Sequence, residues 1–176
     1  VQREQPLLSI ILHPVWLPTL VCAYLIFVSQ NPELSLPSAK KLQYVGIVAY
    51  STILFPILVS FLMWRLGFIG SMQMTERKER YVPLIAGMLF TFWVFWVFHK
   101  SLGAPRWLQI FLLSVFLTAV CTFMANLFKK VSLHMAGATS VLTFAVIYNA
   151  YNAWQDVPLI LAAFALCLIV YLNRLR

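Results

Sequence analysis

Charge is scarce in this chain, and negative charge is scarcest. Asp, Glu, Lys and Arg make up 10% of 176 residues, with five acids against 13 bases. Soluble domains carry roughly a quarter of their residues as charges, so this composition excludes an ordinary soluble globule. The lack of a dense carboxylate cluster gives no reason to expect a metal or other cofactor: only Glu76 and Glu79 lie near the basic segments described below. Cysteine is equally sparse. Cys22, Cys121 and Cys167 fall in apolar runs without C-x-x-C spacing, which excludes a structural zinc site or a disulfide framework and leaves them as small packing residues. Internal repeats and low-complexity linkers are absent too. So are the basic leader and small-residue cleavage site of a signal peptide ahead of the first apolar run, which is therefore expected to be a retained span.

What remains is apolar: 62% of residues are hydrophobic and the mean hydropathy is +0.86. The expectation is an all-α integral membrane protein, because backbone polar groups in lipid must be satisfied within the segment. A spanning helix needs roughly 20 mainly apolar residues. Six runs meet that need, near 8–28, 44–65, 83–98, 107–127, 133–151 and 157–172, and together they form one helical membrane domain over 1–176. The net charge of +8 does not mark a nucleic-acid binder, since the bases sit in short connections rather than on one polar face. Bases at helix ends meet lipid head groups and fix topology.

Six spans place the N-terminus, the 66–82 loop, the 128–132 turn and the C-terminus on one side. That side collects Arg3, Arg65, Arg77, Lys78, Arg80, Lys129, Lys130, Arg174 and Arg176, against Lys40, Lys41, Lys100 and Arg106 on the other. The excess favours a cytoplasmic face for the first side. Punctuation agrees with the spans: Gly67 and Gly70 close the second, Gly103 and Pro105 turn the third into the fourth, and Pro158 suits a first helical turn. Pro18 is expected to kink the first span. The string Tyr148–Asp156 reads as the interfacial end of the fifth, its aromatics forming a membrane belt.

Chemistry is most legible in Phe128-Lys129-Lys130-Val131-Ser132-Leu133-His134-Met135-Ala136-Gly137, where two lysines, a serine and a histidine stand at the mouth of an apolar helix. By parity this segment faces Arg77, Lys78 and Arg80. Lysine and arginine neutralise phosphate oxygens, serine donates a further hydrogen bond, and histidine moves a proton near neutral pH. His13, at the opening of the first span on the same side, is a possible accessory.

These residues resemble the type 2 phosphatidic acid phosphatases, membrane enzymes whose general signature is KxxxxxxRP, PSGH and SRxxxxxHxxxD. In one divergent bacterial branch the second segment looks like KISxHxAG. Lys130-Val131-Ser132-Leu133-His134-Met135-Ala136-Gly137 is similar to that form, and Arg77-Lys78-Glu79-Arg80 with Pro83 resembles a loosened first segment without its usual spacing. The resemblance implies a lipid phosphate phosphatase of the bacterial inner membrane that acts through a phosphohistidine. Its partners are then membrane lipids and a lipid phosphate substrate. It further implies that His134 protonates the leaving alkoxide and that Ser132 and Lys130 hold the phosphoryl group. Lys78, Arg80 and Arg77 would supply further phosphate contacts, and Arg174 would stabilise the transition state. The nucleophilic histidine is expected six residues beyond Arg174, past Arg176. With no initiator methionine at Val1, the expectation is a chain cut inside its third segment rather than one that has lost catalysis.

Two other functions are open to the same residues. A non-catalytic protein for lipid head-group binding or transport uses the same cations. A haem-bearing redox protein requires His13 and His134 as axial ligands with a haem-sized gap between them.

Overall fold

The computed structural model describes residues 13–70, 78–129 and 131–175, and among them every regular element is helical. α1, Pro14–Phe27, opens as a 3-10 turn over Pro14–Trp16 and continues as α-helix. α2, Ser38–Arg65, passes through a π-helical stretch at Tyr50–Leu54. α3, Lys78–Ser101, begins with the 3-10 turn Lys78–Arg80 and ends in the π-helical stretch Val97–Ser101. α4 is Arg106–Phe128, α5 Leu133–Tyr151 and α6 Val157–Leu175. Helices α2 to α5 are long and apolar enough to cross a membrane, whereas α1 and the stretch Val157–Asn173 of α6 are apolar but shorter.

The difference from six equal runs lies at the first and last helices. Pro14 and Pro18 hold the start of α1 in first-turn positions, where a missing N–H costs nothing, so Pro18 follows a switch from 3-10 to α geometry rather than kinking an established helix. α1 nevertheless occupies the centre. It packs against α2, α4 and α5, with Cys22 and Leu25 fully buried. Its Thr19 hydroxyl meets the Thr52 hydroxyl, within the π-helical stretch of α2, at 3.2 Å. Outward faces carry large apolar residues such as Leu89, Trp93 and Leu161, as lipid contact requires.

Two glycines end helices by taking left-handed backbone. Gly67, at φ +77°, closes α2 while its N–H donates to the Trp64 carbonyl and that of Phe68 donates to Met63. This pairing is a Schellman cap. Gly103, at φ +55°, turns α3 into α4, and His99 is held there by Gln109 at 2.8 Å.

The far ends of α1 and α5 are joined by buried polar groups. Ser29 Oγ donates to Asp156 Oδ2 at 2.8 Å, Tyr24 donates to Oδ1 at 3.3 Å, and the Ser29 and Tyr148 hydroxyls lie 2.6 Å apart. Asn149 Nδ2 donates to the Asp156 carbonyl, and Asn149 Oδ1 accepts from its N–H. Of the string expected to form an interfacial belt, Tyr151 and Trp154 face outward, but Tyr148, Asn149 and Asp156 turn inward as this clasp.

Candidate functional site

Helix α5 begins where the basic segment ends. Ser132 is its N-cap, with extended backbone and a side-chain oxygen that accepts from Met135 N at 3.4 Å. The cap uses an oxygen lone pair, so the hydroxyl proton can still be donated to a ligand. His134 is the second residue of the helix. The first turn of a helix carries unsatisfied N–H groups and the positive end of the macrodipole, which favours anions.

Arg80 arrives from the start of α3. Its Nη1 donates to the Val131 carbonyl at 3.2 Å, joining the Lys78–Arg80 turn to the residue just before the cap. Nearby, the Tyr81 and Phe123 rings meet edge to face at 6.2 Å, packing the start of α3 on the end of α4. Glu79 turns a carboxylate oxygen to Gly70 N at 2.8 Å.

His13 arrives from the position just ahead of α1. Its ring meets the His134 ring edge-on, with centroids 5.3 Å apart and planes at 78°. Its Nδ1 accepts from Val15 N at 3.3 Å and thereby caps the 3-10 turn Pro14–Trp16. An Nδ1 that accepts carries no proton, so this arrangement belongs to neutral His13 with its proton on Nε2. His13 stands one residue ahead of α1, where desolvation and then the neighbouring His134 push its pKa down to about 4.

Gly137 fixes how closely these two helix mouths approach. A Cβ there would lie 2.9 Å from Pro14 Cβ and 3.2 Å from Leu17 Cδ1. The approach brings α1 onto α5 one helical turn from His134 and seats His13 against it.

The structure therefore brings His13, Arg80, Ser132 and His134 to one end of the bundle. Lys78 is exposed at the first residue of α3. Arg77 and Lys130 lie outside the described residues; Arg174 falls in α6, but its side chain is outside the description. Haem does not fit the histidine pair. The two rings touch directly, leaving no gap for a macrocycle between them. Sequence reasoning missed the Asp156 clasp, for which the only signal was the amide and carboxylate spacing Asn149, Asn152, Asp156 opposite Ser29 and Asn31.

No protein-family model matches this chain, and no curated protein or solved structure matches it either.

Proposed function

We propose that the chain is a six-span bacterial inner-membrane protein that takes the phosphate of a lipid at the α5 mouth and removes it as a phosphatase of the type 2 phosphatidic acid phosphatase kind. The observation that supports this reading best is the Arg80 hydrogen bond to Val131. It joins the segment resembling the first phosphatase motif to the one resembling the second across 51 residues. The cradle then consists of Arg80, the Ser132 hydroxyl, the α5 N-terminus and His134, with Lys78, Arg77 and Lys130 as further cations and Arg174 stabilising the charged transition state.

In a phosphatase of this kind a histidine nucleophile attacks phosphorus. The N–P bond forms as the bond to the lipid oxygen breaks, and the leaving alkoxide takes a proton from His134. Water then attacks the phosphohistidine, the N–P bond breaks, and the water proton returns to His134. The test is release of inorganic phosphate by full-length protein from vesicles containing phosphatidate, phosphatidylglycerophosphate or polyprenyl diphosphate, with chelator present. Release from at least one supports the proposal, and release from none contradicts it.

Head-group binding without turnover is the second reading. It is favoured by His13, whose Nδ1 is engaged by Val15 N, so that His13 offers the site a donor rather than a nucleophile. Saturable binding of a lipid phosphate by a full-length protein that releases no phosphate would select it.

A further inference from the structure

We infer that His13 is a head-group-binding residue of this site, a neutral imidazole that donates its Nε2–H to a phosphoryl oxygen of a lipid phosphomonoester while His134 handles the proton. The inference rests on the lipid-phosphate reading of the α5 mouth and gives it a contact that none of the three resembling segments supplies.

Three observations carry it. The first is the ring contact with His134, which puts His13 beside the one histidine of the Lys130–Gly137 segment although 121 residues separate them. The second is the Val15 N–H on Nδ1, which assigns the proton to Nε2 and leaves that nitrogen as the donor. The third is Gly137, where any Cβ would strike Pro14, so the α1 mouth is seated on α5 by a contact with no slack. A histidine that merely capped a 3-10 turn would not need to meet a second imidazole.

Two adjacent imidazolium ions repel each other, so a pair of this kind holds a single proton readily. Backbone geometry keeps His13 as the neutral member. His13 then supplies a fixed donor whose charge does not change during turnover. Facing it from the packed elements is the His134 imidazole of α5; Arg80 reaches the same end through Val131.

The test uses the full-length protein in phosphatidylcholine nanodiscs, with dioctanoyl phosphatidate and inorganic phosphate as separate probes. Two variants divide the roles. His13→Phe keeps a ring against His134 and removes the donor, while His13→Gln keeps an N–H near the Nε2 position and removes titration. A hydrogen bond to a charged group predicts that His13→Phe weakens dioctanoyl phosphatidate binding about 10- to 100-fold, with His13→Gln retaining most of the affinity. Nitrogen-15 spectra of labelled histidine should show neutral His13 protonated on Nε2 at pH 7, with that nitrogen shifting when dioctanoyl phosphatidate is added. A purely capping role would leave the Nε2 signal unmoved.

Wild-type affinity retained in His13→Phe, or a proton found on Nδ1, overturns the assignment of His13. A wild-type protein that binds neither probe and releases no phosphate overturns the lipid-phosphate reading itself, and the contact falls with it. Equal affinity for inorganic phosphate and dioctanoyl phosphatidate, with the His13→Phe loss present in both, keeps the His13 contact and overturns the lipid as its source.

Discussion

The histidine pair brings together two side chains that no local pattern connects. His134 is set by the Ser132 cap of its own helix, and His13 by the cap it forms on the turn that begins α1. Because the His13 pKa falls from 6.5 to about 4 on folding, its protonation is linked to stability. Between those values the unfolded chain takes up a proton that the folded chain refuses. Stability is therefore complete above about pH 6.5 and declines as the pH drops toward 4. Denaturation of wild type and His13→Phe across this range isolates the contribution: the variant should show a shallower decline, and parallel curves would contradict it. Ser132 and His134 were legible because a cap and its helix are neighbours in sequence. The partnership with His13 was not, because it depends on how two helices cross.

Each end of α1 is held by a different device. At the site end, the close approach of Gly137 to Pro14 makes a Gly137→Ala substitution a test of packing. Alanine normally favours a helix over glycine by about 1 kcal/mol. Here the Cβ meets a proline ring carbon that cannot swing away, and overpacking of this kind costs about 1–3 kcal/mol. Net destabilisation and loss of the coupling between His13 and His134 in a double-mutant cycle are expected; stabilisation would mean that the helices separate freely. At the opposite end, Asp156→Ala removes the acceptor of the Ser29 and Tyr24 hydroxyls. Hydrogen bonds to a carboxylate, tempered by the smaller values typical of membrane proteins, predict a loss of about 1–3 kcal/mol. Unchanged unfolding in detergent would show that the clasp does not hold α1. The apolar runs already located α2 to α5. The 3-10 start of α1 and the π-helical stretches of α2 and α3 left no composition signal, because they adjust hydrogen-bond register without changing residue type. The clasp was likewise hidden, since Ser29 and Asp156 stand 127 residues apart.

For the whole molecule, alternation of six helices is what gathers the site. If α1 and α6 cross the membrane with the other four, then Gly67 and Lys129 open to one side and Gly103 and Trp154 to the other. In a background with Cys22, Cys121 and Cys167 replaced, single Gly67→Cys and Lys129→Cys variants should react with a membrane-impermeant thiol reagent from one side. Gly103→Cys and Trp154→Cys should react from the opposite side. Labelling of Lys129→Cys and Trp154→Cys from the same side would break the six-span arrangement. Helix packing brings the Lys78–Arg80 turn, the α5 mouth and the start of α1 to one end, where Arg80, Ser132, His134 and His13 meet. The proposed lipid phosphatase activity is tested most directly by phosphate release from phosphatidate vesicles with chelator present, comparing full-length wild type with His134→Ala. General-acid catalysis predicts a fall of about 100- to 10,000-fold in the variant, and equal rates for the two proteins would contradict the role given to His134 and the site built around it.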